Sequence, residues 1–195
     1  MNIGSWIVDV FADFDFTVLQ WLHEFALRTN GNLNGVFKGM SMLCSHFIGV
    51  ALIAVVLTLF SRTRRAGSSA LFALVLAYLL MTVVKGAVLR PRPYAAGEIY
   101  EAWWQFAGAI AEKGSSFPSG HAAATMAVMG AIFLNSDKKT TWLLFIVVFL
   151  MCVSRCYLFV HYPTDVLAGV ILGGVCAWCG SKSAGLLQLG KSYSK

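Results

Sequence analysis

Residues 70–84 read ALFALVLAYLLMTVV, fifteen consecutive residues without a charge. Extended to 68–89, this segment reaches the roughly 20 mostly apolar residues that a helix needs to cross a bilayer. The rest of the chain agrees, because 58% of its 195 residues are hydrophobic and 12% are charged, whereas about a quarter of a soluble domain is charged. This composition excludes a disordered chain and disfavours a soluble fold. We predict a single membrane domain, and we do not interpret the net charge of +6 as nucleic-acid binding.

Four further segments on either side of this one have the character of membrane spans. We therefore predict an all-α membrane protein built as a bundle of five transmembrane helices. The predicted spans run over about 40–60, 68–89, 119–134, 141–160 and 164–178, with the last extending as far as 187.

The N-terminal region differs from these spans because its apolar residues alternate with polar ones. Residues 16–27, FTVLQWLHEFAL, are short and polar enough to predict an amphipathic helix that lies in the membrane interface. A sixth crossing over 3–27 is the weaker alternative, because Asp9, Asp13 and Asp15 would then lie within the bilayer. The predicted division is an N-terminal interfacial segment 1–39, a transmembrane domain 40–187 and a cytoplasmic tail 188–195.

Charge in the loops predicts the orientation. Loops 61–65 and 136–139, together with the C-terminal region, hold eight basic residues and one acidic residue, against seven basic and eight acidic elsewhere. Cytoplasmic loops of membrane proteins are enriched in lysine and arginine. Stretches 85–93, 118–121 and 154–165 alternate with these loops and therefore face outward. We predict a multi-pass plasma-membrane protein with these stretches on the extracytoplasmic face.

Three cations lie at the outward ends of separate spans, namely Lys85, Arg92 and Arg155. Charged side chains at membrane depth are energetically costly, so those that occur there are candidates for a function. Three converging cations suit a multiply charged anion such as phosphate. The turn at 118–121, PSGH, opens a helix whose free N–H groups would face the same anion. Few carboxylates cluster nearby, so we predict neither a metal nor a cofactor. The predicted phosphate-binding residues are Lys85, Arg92, Ser119, Gly120 and Arg155.

Two histidines complete the catalytic set. Imidazole titrates near neutral pH, so one ring can attack phosphorus while the other protonates the leaving oxygen. Asp165 follows His161 by four residues and could hold the imidazole in one tautomer. We therefore assign the nucleophile to His161 and the general acid to His121.

These residues occur in three short motifs, each of which alone is a weak signal. The three together, in this order and between these spans, are highly specific. The motifs are Lys85 followed after six residues by Arg92-Pro93, then Pro118-Ser119-Gly120-His121, then Ser154-Arg155 followed after five residues by His161 and after three more by Asp165.

This set resembles the signature motifs of the type-2 phosphatidic acid phosphatase superfamily over roughly residues 71–173. The resemblance implies a phosphohistidine intermediate on His161, supported by Asp165, with His121 as the acid. It also implies an integral-membrane lipid phosphatase. Its substrate would be a phosphate monoester or diphosphate of a membrane lipid, such as phosphatidic acid, phosphatidylglycerol phosphate or polyprenyl diphosphate.

Three alternatives remain at this stage. A lipid phosphotransferase would pass the phosphoryl group to another lipid instead of water. A non-catalytic lipid-phosphate-binding or transport module would keep the pocket but would not need the pairing of His161 with Asp165. The soluble vanadate-dependent haloperoxidases share the pocket, but five spans disfavour them. The expected partners are the bilayer and a lipid phosphate, with no nucleic acid, and the sequence predicts no oligomeric state.

Overall fold

The computed structural model describes residues 3–43 and 47–192, and every regular element within them is helical, which confirms the predicted all-α class. The last three residues of the predicted tail 188–195 lie outside the described residues. The helices are α1 (Ile3–Arg28), α2 (Asn34–Leu43), α3 (Ile48–Leu59), α4 (Arg64–Val88), α5 (Glu98–Ala107), α6 (Gly120–Leu134), α7 (Lys138–Thr141), α8 (Leu144–Tyr157) and α9 (Pro163–Ser192).

Three segments are long and apolar enough to cross a membrane, and they coincide with the second, fourth and fifth predicted spans. Two shorter apolar helices, α3 and α6, lie where the first and third spans were predicted. The chain is therefore a multi-pass helical membrane protein, and the count of five crossings stays a prediction. The three long segments are Arg64–Ala95, Lys138–Tyr157 and Pro163–Ser183.

Large apolar side chains cover the outside of the bundle. Leu59, Val83 and Ile171 are each about 70% exposed, at 70%, 71% and 69%. Exposed apolar surface of this extent is unusual on a soluble monomer. It is the surface expected where helices face lipid.

The predicted first span, 40–60, is wrong as a single continuous helix. Helix α2 ends at Leu43 and α3 begins at Ile48, directly after Phe47. The backbone of Phe47 has φ of 64°, in the left-handed region, which a regular α-helix does not contain. Average hydropathy does not detect such a break, because the polar residues Ser45 and His46 are outnumbered by apolar residues on both sides.

The N-terminal helix is longer than the predicted interfacial segment 16–27. Helix α1 starts at Ile3 and runs for 26 residues. Asp15, which argued against a helix at membrane depth, is buried against Arg90. The negative charge of Asp15, which argued against a long helix, is thus compensated by Arg90 from the segment that follows α4. The division at residue 39 is a prediction, and α1 already contributes this buried side chain to the bundle.

Close contacts between backbones hold α6 against α9. A Cβ added at Gly173 would lie 2.4 Å from the carbonyl oxygen of Ala123, and one at Gly169 would lie 2.6 Å from that of Ser119. Both glycines are therefore required for the helices to approach this closely. The contact places the start of α6, with His121, beside the start of α9.

Helix α5 and the chain after it cover the end of the bundle next to α1. Trp103 is 7% exposed and its ring stacks on His23 at a centroid distance of 5.0 Å. It also packs against Phe16 and Phe159. This aromatic cluster joins α1 to the loop that precedes α9.

Candidate active site

A cavity of about 570 Å³ opens where α4 ends and where α6 and α9 begin. One part of its wall is apolar and includes Met42, Phe47, Met81 and Ile110. The remaining wall carries ionisable side chains from three separate parts of the chain. Those ionisable residues are Lys85, Arg92, Glu112, Lys113, His121 and His161.

His161 is held between a carboxylate and the cavity. Its Nδ1 atom lies 3.6 Å from Oδ2 of Asp165, and its Nε2 atom lies 3.3 Å from a guanidinium nitrogen of Arg92. A guanidinium only donates hydrogen bonds, so Nε2 is the acceptor and the ring proton belongs on Nδ1. In this tautomer Nε2 carries no proton, and its lone pair lies on the cavity side of the ring, where it accepts from Arg92. A nucleophile requires that arrangement.

Asp165 is completely buried and receives several hydrogen bonds. Its Oδ2 atom accepts from the hydroxyl of Ser116 at 2.5 Å and from the backbone N–H of Tyr162 at 2.9 Å. These donors fix the carboxylate, so it can in turn orient the His161 ring. The hydroxyl of Ser116 also lies 3.4 Å from Nδ1 of His161, although the sequence did not single out this serine.

Arg92 is fixed by backbone carbonyl groups rather than by carboxylates alone. It donates to the carbonyl of Val160 at 2.9 Å, of Lys113 at 3.0 Å and of Gly114 at 3.2 Å. The side chain is 5% exposed. This bonding holds the guanidinium beside Nε2 of His161 and ties down the loop that follows α5.

The other two predicted cations have different partners. The ammonium of Lys85 donates to the carbonyl of Ser115. The guanidinium of Arg155, completely buried, donates to the hydroxyl of Ser41 and to the carboxylate of Glu112. The structure therefore brings Lys85, Arg92 and Arg155 to one place from α4, the segment after it, and α8.

The start of α6 supplies the remaining predicted residues. The hydroxyl of Ser119 is buried and caps the helix, accepting from the backbone N–H of the third residue on at 3.5 Å. Its backbone N–H donates to the carbonyl of Asp165 at 2.9 Å. Gly120 and His121 line the cavity, whereas Ser119 is occupied as a cap. Gly120 leaves room there, since a Cβ would lie 2.7 Å from the sulfur of Met81.

Glu112 is the principal cavity residue that sequence reasoning missed. Its carboxylate contacts Arg155, lies 3.0 Å from Arg92 and reaches to 3.7 Å from Nε2 of His161 and 3.9 Å from Nδ1 of His121. Burial raises the pKa of this carboxyl, but the neighbouring His161 and the charge of Arg155 outweigh burial and hold the pKa well below its usual value. Glu112 is therefore a carboxylate at neutral pH.

A second missed group connects the site to the N-terminal helix. Arg90, 1% exposed, donates to Oδ1 of Asp165 at 2.6 Å and to Oδ2 of Asp15 at 2.7 Å. Thr164 joins the same network, since its N–H and hydroxyl both donate to Asp15. Arg90 lies inside the first motif, between Lys85 and Arg92, and this position indicated that it would be near the site. Nothing in the sequence pairs it with a residue 75 positions away.

Fixed cations and a helix N-terminus suit an anion with several charges. Within residues 3–43 and 47–192, no group of three histidine, cysteine, aspartate or glutamate side chains has the geometry to hold a metal ion. His161 presents an unprotonated nitrogen to the cavity, and His121 lines the same cavity. This arrangement is competent to transfer a phosphoryl group.

The fold and the site together define a helical membrane enzyme with a buried cationic pocket. The family model of the PAP2 superfamily matches residues 66–185, and the chain belongs to this superfamily. The matched segment includes all three sequence motifs and every predicted site residue.

Curated relatives and a solved structure agree with this assignment. The chain is 26% identical to the "Bacitracin transport permease protein BcrC" of Bacillus licheniformis, over 95% of this chain and 90% of the relative. It is 32% identical to an undecaprenyl-diphosphatase of Sulfolobus acidocaldarius, over 72% of this chain and 66% of the relative. The crystal structure of a PAP2-type phosphatidylglycerolphosphate phosphatase from Bacillus subtilis superposes with a TM-score of 0.61 at 23% identity, covering 86% of this chain and 92% of that one. The chain is a phosphoric ester hydrolase.

Proposed function

We propose that this protein hydrolyses the phosphate monoester or diphosphate headgroup of a membrane lipid through a phosphohistidine on His161. The observation that carries the proposal is the His161 ring, whose Nδ1 faces Asp165 while Nε2 faces a cavity lined by cations. Binding alone would not require a nucleophile together with a carboxylate that orients it.

In the first step, Nε2 of His161 attacks phosphorus and forms an N–P bond. The bond between phosphorus and the leaving oxygen breaks, and the oxygen keeps the electron pair of that bond. His121 donates a proton to the same oxygen. A phosphate dianion next to His121 favours the protonated ring that this step needs. Asp165 stabilises the positive charge that develops on His161, because it faces Nδ1.

In the second step, a water molecule attacks phosphorus from the cavity. His121, now neutral, accepts a proton from this water, and the N–P bond breaks to return its electron pair to Nε2. Inorganic phosphate leaves. Throughout both steps Lys85, Arg92 and Arg155 stabilise the negative charge on the phosphoryl oxygens by fixed positive charge.

The apolar wall supports a lipid as the substrate. Met42, Phe47, Met81 and Ile110 line the cavity beside the ionisable residues. An acyl or prenyl chain next to the headgroup would lie against these side chains, where burial of apolar surface is favourable. A water-soluble phosphate ester would gain nothing from this wall.

The site is proposed to face the extracytoplasmic side of the plasma membrane. Loops 61–65 and 136–139 carry the basic excess, and the cavity lies at the opposite ends of the helices that these loops join. The positive-inside rule then places the cavity outside. The phosphate must therefore be presented in the outer leaflet.

The test is phosphate release by the purified protein in detergent. The names of the relatives suggest undecaprenyl diphosphate and phosphatidylglycerol phosphate as substrates to test. Phosphatidic acid is added because of the family resemblance, and the three lipids are compared by kcat/KM. A brief reaction with ³²P-labelled substrate should label the protein through an acid-labile, base-stable bond. Turnover without any labelled protein would contradict the phosphohistidine. No turnover on any lipid would contradict the hydrolase and favour the transport function in the name of one relative.

A further inference from the structure

The hydroxyl of Ser116 is in contact with both members of the pair formed by His161 and Asp165. Its oxygen lies 2.5 Å from Oδ2 of Asp165 and 3.4 Å from Nδ1 of His161. That nitrogen and that carboxylate oxygen are themselves 3.6 Å apart, which is beyond hydrogen-bond distance. Ser116 is completely buried, so its hydroxyl is shielded from bulk water. Of the two side-chain oxygens, the serine hydroxyl is the nearer to Nδ1.

The direction of these contacts follows from the single proton of the hydroxyl. Asp165 is ion-paired with Arg90, and an ionised carboxylate only accepts hydrogen bonds. The proton of Ser116 therefore lies in the contact with Asp165, and the serine oxygen faces the ring of His161 as an acceptor. The ring must then carry its proton on Nδ1. Arg92 requires the same tautomer at the opposite nitrogen, so the two contacts agree.

The carboxylate of Asp165 has further donors on both of its oxygens. Oδ1 accepts from Arg90 at 2.6 Å, and Oδ2 accepts from the backbone N–H of Tyr162 at 2.9 Å. These bonds fix the carboxylate, which acts on the ring through its charge and through the hydroxyl of Ser116. A hydroxyl that donates to a carboxylate is itself a stronger acceptor, because hydrogen bonds in a chain polarise one another.

We propose that Ser116 is a positioning residue for phosphoryl transfer, whose hydroxyl accepts from Nδ1–H of His161, donates to Asp165 and so holds the ring in its reactive tautomer. The proposal rests on the proposed function, since it concerns the same nucleophile. When Nε2 attacks phosphorus, the ring becomes positively charged and its Nδ1–H becomes a stronger donor. The hydrogen bond to Ser116 therefore strengthens in the transition state, which raises kcat and not the affinity for the lipid.

A positioning role and a merely structural role of Ser116 differ in what they do to lipid binding. Ser116 is not one of the described residues that line the cavity. The residues before it in the loop hold the cations, since the carbonyls of Lys113 and Ser115 accept from Arg92 and Lys85. A merely structural role would act through this loop, so its loss would displace the cations and weaken lipid binding. A positioning role would change the nucleophile and leave binding intact.

The test measures kcat and binding separately in Ser116→Ala. We expect kcat, on the lipid that the wild type hydrolyses fastest, to fall about 10- to 100-fold. Calorimetry with a non-hydrolysable phosphonate analogue of phosphatidic acid should give a dissociation constant equal to that of the wild type. Ser116→Thr keeps the hydroxyl and should recover most of kcat. A wild-type kcat in Ser116→Ala would overturn the proposal, and so would a loss of analogue binding as large as the loss of kcat.

Two other serines provide matched controls. Ser69→Ala removes an equally buried hydroxyl from α4, one with no hydrogen-bond partner among the described residues, and should leave kcat and binding unchanged. Ser115→Ala acts in the same loop as Ser116, because its hydroxyl accepts from the N–H of Arg90 and donates to the carbonyl of Phe117. Equal losses of kcat in Ser115→Ala and Ser116→Ala would overturn the proposal, since a loosened loop would then explain both.

A spectroscopic measurement makes the test independent of turnover. The chain has four histidines, and ¹⁵N NMR spectra of histidine-labelled protein report the tautomer of each ring. The signals of His161 are those that are missing from His161→Ala. We expect a protonated Nδ1 in the wild type and a shifted Nδ1 signal in Ser116→Ala, because its acceptor is gone. Identical His161 signals in these two proteins would overturn the proposal. Failure of the wild type to hydrolyse any lipid would contradict the proposed function alone, since the spectrum needs no substrate.

Discussion

The Oδ2 atom of Asp15 lies 2.7 Å from a guanidinium nitrogen of Arg90, and both side chains are almost completely buried. The other terminal nitrogen of Arg90 lies 2.6 Å from Asp165. A single guanidinium thus links the N-terminal helix to the carboxylate beside His161. Buried ion pairs are sensitive to the loss of one partner, because the remaining charge stays in a low-dielectric environment.

Asp15→Asn should lower both the thermal stability and the activity. Breaking a buried pair typically costs about 3–5 kcal/mol, and the lower end is expected here because Asp165 still compensates Arg90. Thermal unfolding in detergent measures the stability and phosphate release the activity. Asp13→Asn, at an exposed position of the same helix, is the matched control. Equal melting temperatures for the two variants would show that the pair contributes nothing.

His161→Ala should abolish turnover, and Asp165→Asn should reduce kcat by about 10³–10⁴-fold, as expected when a carboxylate no longer holds the ring tautomer. Phosphate release in detergent gives both values, with circular dichroism to establish that the helices remain. Because His161 lies at a cavity and not in the apolar core, we expect the variant to fold. Activity close to wild type in His161→Ala would remove the proposed nucleophile.

His121→Ala should impair monophosphate substrates more than diphosphates. A phosphate leaving group is already stable as an anion, whereas an alkoxide needs a proton from the general acid. The measurement is kcat on phosphatidic acid and on undecaprenyl diphosphate, each relative to the wild type. Equal losses on the two substrates would argue against an acid role for His121 and for a role in binding alone.

Gly173→Ala should destabilise the bundle, because the new Cβ would lie 2.4 Å from the carbonyl oxygen of Ala123. Overpacking of this kind costs about 1–3 kcal/mol. The neighbouring Gly174→Ala is the control, since its Cβ would meet only the end of Met126 at an ordinary 3.5 Å. Thermal unfolding of the two variants should differ, and indistinguishable melting curves would refute the close approach of α6 and α9.

Cysteine labelling in intact cells tests the orientation. A cysteine at Gly97, where a Cβ meets no atom within 4 Å, should react with a membrane-impermeant maleimide. A cysteine at Ser136, in a loop with basic excess, should react only after the cells are opened. The parent chain, with its native cysteines, provides the background. The reverse pattern would place the site in the cytoplasm.

Much of the site could be predicted because motif residues lie at the ends of long apolar segments. Spans that alternate in direction bring Lys85, His121 and His161 to one side of a bundle, whatever the details of packing. Asp165 follows His161 by only four residues, so few backbone conformations would keep the two side chains apart. These conclusions depend on local sequence and on topology, and the structure places these residues around one cavity.

Other features depend on contacts between distant parts of the chain. Glu112 belongs to a loop whose path is set by hydrogen bonds from Arg92 and Tyr94, which no local pattern reveals. Helix α1 can include the buried Asp15 because Arg90, distant in the sequence, compensates its charge. The break before α3 depends on the left-handed backbone of Phe47, an apolar residue that gives no warning of a turn.

The anchoring of Arg92 bears on how this enzyme could be redesigned. Its hydrogen bonds to the carbonyls of Val160, Lys113 and Gly114 make it a structural brace as well as a ligand for the headgroup. A library that varied Arg92 would distort the surrounding loop in most of its members. The apolar side chains of Met42 and Ile110 donate no hydrogen bonds that hold a loop in place. Substitutions intended to accommodate longer or bulkier lipid tails should therefore begin at these two residues of the apolar cavity wall.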